Sequence, residues 1–126
     1  MKLIIAIIRP ERLEPVQEAL SDKEVDLMTV SDVRGCGRQR GLTEVYRGTE
    51  VTIRLIPKVK LEIAVNEAFV EATVEAIVHA ARTEPSGQIG DGKVFVLPVE
   101  DAYRVRTGEA GEDVLQAHPD AAAAVT

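Results

Sequence analysis

The sequence predicts an α+β fold, a ferredoxin-like βαββαβ sandwich with a long loop between its second and third strands. One segment in the middle of the chain alternates apolar and polar residues, which is typical of a half-buried strand. Two other segments repeat apolar residues at helical spacing, one before and one after the loop. Both helices would cover one face of an antiparallel sheet, which leaves the other face for solvent or another subunit.

Length and composition indicate one soluble globular domain. The chain has 126 residues, of which 45 % are apolar and 29 % are charged. The apolar segment Leu3–Ile8 is too short for a signal-peptide core or a membrane span, so a cytoplasmic protein is expected. Cys36 is the single cysteine, which excludes an intramolecular disulfide and a cysteine-based zinc cluster.

The negative net charge of −6 lies mostly in the last residues of the chain. Residues 109–126 contain four acidic residues and no lysine or arginine. A basic body is typical of general nucleic-acid binders, and none is present here, so no nucleic-acid partner is predicted. The basic residues are concentrated locally, which favours a compact anion as the ligand.

The first part of the chain predicts a strand, a helix and a second strand. Lys2–Ile8 is a nearly continuous apolar run and is predicted to be a buried strand. Pro15 suits the first turn of a helix, which the apolar spacing extends to about Lys23. Val25–Val33 is rich in β-branched residues and is predicted to be the second strand.

The third strand has the clearest pattern. Apolar residues occupy odd positions from Ile53 to Val65, whereas Lys58 and Lys60 occupy even positions. The alternation therefore predicts that Lys58 projects away from the core. Pro57 predicts a bend or an edge position in the sheet.

The second helix is predicted to begin near Asn66 and to end before Pro85. Val94–Leu97 is predicted to be the fourth strand, and Asp101–Arg106 a short last strand. Residues 109–126 have no usable apolar period and are predicted to form a flexible acidic and alanine-rich tail.

The stretch Arg34–Lys58 is predicted to bind a ligand or partner. It contains four glycines and five arginines and is flanked by patterned apolar segments. Long loops in compact domains usually have a function. A solvated surface loop without a partner is the alternative.

A second glycine cluster, Gly87–Lys93, matches the pattern G-x-x-x-x-G-K. It is not a P-loop, because Val94 stands where Ser or Thr is required and the segment leads from a helix into a strand. Successive glycines can nevertheless turn backbone N–H groups toward an anion, and Lys93 adds a cation.

Two pairs of arginines extend the predicted anion site. Arg104 and Arg106 would project from the same face of a strand. Arg38 and Arg40 come from the long loop. Guanidinium groups suit phosphate oxygens, so the two glycine clusters and these arginines predict a nucleoside polyphosphate site. No catalytic set is recognisable, and an enzyme is not predicted.

Four motifs occur together along the chain: GRQRGLTEVYRGTE, LIPKVKLEI, IGDGKVFV and RVRTGE. In these the chain resembles the PII nitrogen-regulatory signal-transduction proteins from Met1 to about Glu109. The resemblance implies a non-enzymatic, compact homotrimer in which residues 1–108 form the ferredoxin-like domain. The T-loop would span about 37–55, and the B-loop about 83–93.

The resemblance also implies ligands and a partner. ATP or ADP would bind competitively in clefts between subunits, and 2-oxoglutarate would join ATP and Mg²⁺. The T-loop would change shape to bind or release a target protein. An ammonium transporter is the first expectation, and it would recruit the protein to the inner face of the membrane.

Residue roles are implied by the matching motifs. Nucleotide-binding positions are Thr29, Gly37, Arg38, Gly90, Asp91, Gly92, Lys93, Arg104 and Arg106. Arg104 and Arg106 would act from the neighbouring subunit. Positions for 2-oxoglutarate are Gln39, Gly41 and Lys58, and Gln39 would also bind the Mg²⁺ of ATP.

Some positions depart from the family pattern. Val51 stands where many bacterial members carry a uridylylated tyrosine, so that modification cannot occur here. Thr49 matches a serine that is phosphorylated in some relatives and is a candidate modification site. The B-loop is longer than usual, which leaves open whether Thr83 or Ser86 lines the nucleotide.

Two alternatives follow from these departures and from the fold. A divergent PII-like nucleotide sensor would use another second ligand, such as bicarbonate, or a target unrelated to ammonium. Gln39 and Lys58 argue against it, whereas Val51 and the longer B-loop favour it. A nucleic-acid-binding module would need stacking aromatic residues on the sheet, and the sequence offers few.

Overall fold

The computed structural model describes residues 1–36, 44–46, 49–51 and 55–115. The strands are β1 (Lys2–Ile8), β2 (Thr29–Gly35), β3 (Glu44–Tyr46), β4 (Thr49–Val51), β5 (Ile56–Val65) and β6 (Gly92–Pro98). The helices are α1 (Leu13–Ser21) and α2 (Glu67–Ala81), with short 3-10 helices at Pro10–Arg12 and Glu112–Leu115.

Four strands form one antiparallel sheet in the order β2-β5-β1-β6. Helix α1 connects β1 to β2, which are separated by β5, and α2 connects β5 to β6, which are separated by β1. This is the ferredoxin-like βαββαβ arrangement, and it confirms the predicted fold class. Strands β3 and β4 form a separate hairpin between β2 and β5.

The core lies between the two helices and one face of the sheet. The alternation in β5 buries one side of the strand, as predicted, and β1 contributes from the neighbouring position. The largest fully buried side chains are Ile4, Ile8, Leu20, Leu61, Ile63, Ile77, Val16 and Thr73. The Thr73 hydroxyl donates a hydrogen bond to the Phe69 carbonyl (2.6 Å), which satisfies this polar group inside the core.

The opposite face, the open sheet face, carries apolar side chains that no described helix covers. Its apolar residues are Leu3, Ile5, Ile7, Phe95 and Leu97. The charged residues Lys60, Glu62 and Lys93 lie on the same face, as the register partners of Ile5 and Ile7. Phe95 pairs with Ile5 in register and remains 48 % exposed. A contiguous apolar face of this kind is typical of a protein interface.

Two predicted strands differ from the structure. Strand β2 begins at Thr29 rather than Val25, because the Val25 N–H donates to the Leu20 carbonyl (2.9 Å) and completes the end of α1. Asp101–Arg106 is not a strand. It contains one isolated bridge, between Tyr103 and Ala110, followed by a turn.

The third strand and the tail also need correction. Leu55 precedes β5 and is 61 % exposed, so it does not belong to the core. Pro57 is the second residue of β5 and lies opposite Arg34 in β2. The pairing of β5 with β1 begins only at Val59, so Pro57 has an edge position, as predicted. Residues Glu112–Leu115 form a 3-10 helix, so the predicted flexible tail does not begin at residue 109. Among the described residues, no helix is long and apolar enough to cross a membrane.

Replacing Glu24 with glycine is expected to stabilise the protein. Glu24 has φ +63°, and the bonds Val25 N–H to Leu20 O and Glu24 N–H to Ser21 O (both 2.9 Å) form a Schellman motif with Glu24 at its left-handed position. Glycine takes this conformation without the Cβ strain, so Glu24→Gly should raise the free energy of unfolding by about 0.5 to 1 kcal/mol.

Urea denaturation measures this change, and Glu24→Ala is the matched control. Alanine removes the carboxylate but keeps the Cβ, so it should give no comparable gain. Equal stabilisation by both variants would show that the side-chain charge, rather than the backbone conformation, opposes folding at this position.

Candidate anion-binding site

The segment between α2 and β6, which contains the B-loop, is folded around the carboxylate of Asp91. Oδ2 accepts hydrogen bonds from the backbone N–H groups of Thr83 and Gln88, both at 2.9 Å. Oδ1 accepts from the Thr83 hydroxyl and from Nε of Arg9 at 3.0 Å. Arg9 also donates through Nη2 to the Ile89 carbonyl (3.0 Å) and so ties the segment to the end of β1.

The charge of Asp91 is stabilised inside this segment. Burial opposes ionisation, but the hydrogen bonds from Thr83, Gln88 and Arg9 outweigh it and hold the pKa of Asp91 well below its usual value. The side chain is 18 % exposed and its oxygens are already bonded. Asp91 therefore organises the B-loop, and its carboxylate is unsuited to contact a phosphate.

The B-loop has two hydroxyl groups, on Thr83 and Ser86, and they differ in their surroundings. The Thr83 hydroxyl is bonded to Asp91, whereas Ser86 lies exposed at the surface. The proton of the Thr83 hydroxyl is therefore committed to Asp91, and the exposed Ser86 hydroxyl is the better placed of the two to donate to an external ligand.

Strand β6 begins at a glycine that the local geometry requires. Gly92 has φ +117°, and a Cβ built there would lie 1.8 Å from the backbone oxygen of Ile7. Gly92 is opposite Ile8 in the sheet. The B-loop therefore enters the sheet by passing directly against the backbone of β1.

Lys58 projects from β5 away from the core, as the alternation of the strand predicts, and its side chain reaches the B-loop. Its ammonium donates to the Gly90 carbonyl at 2.6 Å. Burial and the nearby Arg9 lower the pKa of Lys58, and Glu11 and Asp91 partly oppose this effect. Lys58 thus links the start of β5 to the B-loop through one hydrogen bond.

A cleft of about 570 Å³, called here the Lys58 cleft, lies at this end of the sheet. It is lined by Ile7, Gly35, Cys36, Ile56, Lys58, Ile89, Gly90, Gly92, Lys93 and Phe95. Four predicted site residues meet here: Lys58, Gly90, Gly92 and Lys93. The cleft combines apolar walls with two lysines, which suits an organic anion that has an apolar part.

Several predicted residues lie outside the described part of the chain. They are Gly37, Arg38, Gln39 and Gly41. The structure describes Thr49 only as the first residue of β4, without its side chain. Among the described residues, no group of three or more His, Cys, Asp or Glu side chains could hold a metal ion; Gln39, the predicted Mg²⁺ ligand, is not among them.

Three predicted residues are described but lie away from the cleft. Thr29 belongs to the edge strand β2, on the side of the sheet opposite Lys93 in β6. Arg104 and Arg106 follow β6, which at 7 residues is about 20 Å long and runs away from the cleft. The Val99 N–H donates to the Met1 carbonyl (3.1 Å), so the chain leaves the sheet at its far end.

The two arginines do not share a face. Arg104 is partly buried, and its Nη2 donates to the Asp113 carbonyl (3.2 Å), whereas Arg106 lies exposed in the following turn. The expectation that both project from one strand is therefore wrong. In one chain, neither arginine can contact an anion held by Lys93.

Arg9 is a site residue that the sequence pattern does not indicate. Its partner Asp91 lies 82 positions away, and nothing in the local pattern around Pro10 indicates this contact. Ile7, Ile56 and Phe95 were expected as strand residues, but their position in the cleft depends on the sheet order.

Known proteins resemble this chain over most of its length. The family model described as nitrogen regulatory protein P-II matches residues 1–109. A nitrogen regulatory protein P-II from Cereibacter sphaeroides is 51% identical over 115 residues, which are 91% of this chain and 100% of that protein. Nitrogen regulatory protein P-II 2 from Methanothermobacter thermautotrophicus is 53% identical over 112 residues, covering 89% of this chain and 95% of that protein.

Proposed function

We propose a function from one premise: the chain belongs to the nitrogen regulatory protein P-II family, whose members are signalling proteins rather than enzymes. They regulate target proteins in nitrogen metabolism. Our proposal is that this chain is a cytoplasmic homotrimer that senses ATP or ADP together with 2-oxoglutarate. It would pass this information to a target protein through the T-loop.

The Lys58 cleft is the observation that carries the nucleotide proposal. Lys93 and the glycines at positions 90 and 92 stand at its rim, and Ile7 and Phe95 supply apolar surface. Backbone groups and lysine are suited to phosphate oxygens, and apolar walls are suited to a purine. Gly37 and Arg38 follow Cys36 directly in the sequence and would add to the phosphate contacts.

The homotrimer is supported by two features of the single chain. The apolar part of the open sheet face, along β1 and β6, is suited to burial against other copies. Arg104 and Arg106 lie at the far end of the sheet from Lys93, so they could reach the same nucleotide only from a neighbouring subunit. Thr29, on the opposite edge strand, would likewise contribute from the neighbour.

For 2-oxoglutarate we propose that Lys58 exchanges its bond to the Gly90 carbonyl for one to a carboxylate of the keto acid. Gln39 and Gly41 would complete this subsite. When Mg²⁺ is bound with ATP, it supplies a coordination site for the keto acid, and Gln39 would help to hold the metal. ADP lacks the γ-phosphate and would not support this arrangement.

The T-loop would respond because both of its ends meet at the cleft. Gly35 and Ile56 are partners in the sheet, and both line the cleft. A ligand shifts the loop only by the difference between its affinities for the two loop states. The proposed target is an ammonium transporter at the inner face of the membrane, and Thr49 is a proposed modification site.

Calorimetric titration of 2-oxoglutarate tests this function, first with Mg-ATP present and then with ADP. Binding in the first case and none in the second supports the proposal. Nucleotide binding without any response to 2-oxoglutarate would favour the divergent sensor instead, and bicarbonate would then be titrated. The divergent sensor is supported by the longer B-loop, in which the Thr83 hydroxyl donates a hydrogen bond to Asp91.

Lys58→Gln is expected to lower the affinity for 2-oxoglutarate by roughly tenfold or more, because a charged hydrogen bond to a carboxylate is lost. Nucleotide affinity should change little. Lys60→Gln is the matched control: Lys60 projects from the same face of β5, and its ammonium lies 3.7 Å from a Glu62 carboxylate oxygen. An equal loss in both variants would contradict a specific role for Lys58.

A further inference from the structure

We propose that Asn66 is a positioning residue for Arg104 and that it acts through the 3-10 helix Glu112–Leu115. This inference rests on the proposed function, in which Arg104 reaches a nucleotide phosphate of a neighbouring subunit. It gives a role to two parts of the chain that the sequence predicts to be a helix cap and a flexible tail.

Asn66 stands immediately before α2, where an asparagine side chain commonly caps the helix. Here it makes no capping bond. Its Nδ2 instead donates to the Glu112 carbonyl at 3.2 Å, and the residue is only 7 % exposed. The side chain therefore serves as a buried tether that fastens the 3-10 helix to the start of α2.

Arg104 is held by the next carbonyl of the same 3-10 helix. Its Nη2 donates to the Asp113 carbonyl at 3.2 Å. Its backbone is also fixed, because its N–H donates to Glu109 O (2.8 Å) and its carbonyl accepts from Gly108 N–H (2.7 Å). Asn66 and Arg104 thus bond to adjacent peptide groups, so movement of one contact changes the other.

Asn66 and Arg104 each have a buried polar atom without a partner among the described residues. Oδ1 of Asn66 and Nε of Arg104 are both buried, and neither has a hydrogen-bond partner among the described residues. One is an acceptor and the other a donor. A single bridging group such as a water molecule would satisfy both and would couple the amide to the guanidinium.

The other end of the 3-10 helix lies beside α2 and the connection between α1 and β2. Leu115 lines a cavity of about 370 Å³ together with Val25, Val65 and Phe69. The bond from Asn66 holds the start of the helix, which presents the Asp113 carbonyl to Arg104. A guanidinium that is already ordered loses less side-chain entropy when it meets a phosphate, so this arrangement favours nucleotide binding.

The test measures ATP affinity by calorimetry in the full-length chain. Asn66→Ala is expected to weaken ATP binding roughly three- to tenfold, in line with the loss of one positioning hydrogen bond. Glu112→Ala is the matched control and should bind as the wild type does, because Glu112 contributes only its backbone carbonyl. Asn66→Ser, which is too short to reach that carbonyl, should repeat the effect of Asn66→Ala if the latter folds poorly.

A double-mutant cycle separates positioning from a general structural effect. Arg104→Ala should weaken ATP binding on the order of tenfold or more, and adding Asn66→Ala should then change nothing further. The ¹⁵N NMR signal of the Arg104 side-chain Nε–H should shift in Asn66→Ala and stay in place in Glu112→Ala.

The outcomes distinguish this inference from the proposed function. Wild-type affinity in Asn66→Ala, alongside weakened binding in Arg104→Ala, would overturn the inference and leave the nucleotide site intact. An equal further loss when Asn66→Ala is added to Arg104→Ala would also overturn it. A wild-type chain that binds no nucleotide would overturn the proposed function itself.

Discussion

Gly92→Ala is expected to destabilise the protein by about 4 kcal/mol or more, which is among the largest effects of single substitutions. The new Cβ would lie 1.8 Å from the Ile7 oxygen and 2.9 Å from its carbonyl carbon, and both are backbone atoms. A side chain cannot rotate away to relieve this overlap. Strands β1 and β6 would have to separate at the pair Gly92–Ile8, which is also where the Lys58 cleft is formed.

Thermal denaturation of Gly92→Ala measures this effect, and a decrease in Tm on the order of 15 °C corresponds to it. Gly108→Ala is the control, because Gly108 also has a positive φ (+75°) but, its two chain neighbours aside, no atom of the described residues lies within 4 Å of the added Cβ. That variant should lose about 1 kcal/mol from backbone strain alone. Similar losses in the two variants would contradict the close approach of the B-loop to β1.

Asp91→Asn is expected to lower the free energy of unfolding by about 3 kcal/mol at neutral pH. The carboxylate accepts hydrogen bonds from Thr83, Gln88 and Arg9. The amide has only one oxygen, and its NH₂ group would face donors. The guanidinium of Arg9 would also lose its counter-charge.

A second measurement is the pH dependence of the difference in free energy of unfolding between the wild type and Asp91→Asn. The pKa of Asp91 is held low in the folded state, so between that pKa and the usual value the unfolded chain binds more protons than the native one. The stabilisation is therefore complete above about pH 5 and is lost as the pH falls below about 4. Chemical denaturation of the wild type and of Asp91→Asn from pH 7 to 3 should show that the difference between their free energies of unfolding becomes smaller toward pH 3.

Asp26→Asn is the control for charge removal, because Asp26 is exposed in the connection between α1 and β2. Its effect should stay within about 0.5 kcal/mol. A difference between wild type and Asp91→Asn that stays constant down to pH 3 would show that Asp91 is not the ionised centre of the B-loop.

The central strands and the direction of Lys58 could be predicted because they depend on local periodicity. The alternation around Leu61 and Ile63 gives the buried side of β5 directly, and it gives the opposite direction for Lys58. The same reasoning failed at Arg104 and Arg106, where an alternating pattern resembles a strand. There the chain is reversed by a turn that begins at Val105 and by Gly108, which has a positive φ.

The rest of the site depends on contacts between distant residues. Arg9 contacts Asp91 only after β1 and β6 have paired. The register of these two strands cannot be predicted from the local sequence. The orientation of Thr83 likewise follows from the position of the Asp91 carboxylate. Glycine clusters could be recognised as turns from sequence, but the close approach at Gly92 is a property of the assembled sheet.

The pairing of Gly35 with Ile56 has a consequence for divergence within the family. These two residues are partners in the register of β2 and β5, so the sheet closes the segment between them whatever its sequence. Loop-closure entropy grows slowly, by about 0.6 kcal/mol for each doubling of length. Changes in the length of the segment between Cys36 and Leu55 should therefore cost little loop-closure free energy and should leave the four-stranded sheet in register, whatever they do to the β3–β4 pairing.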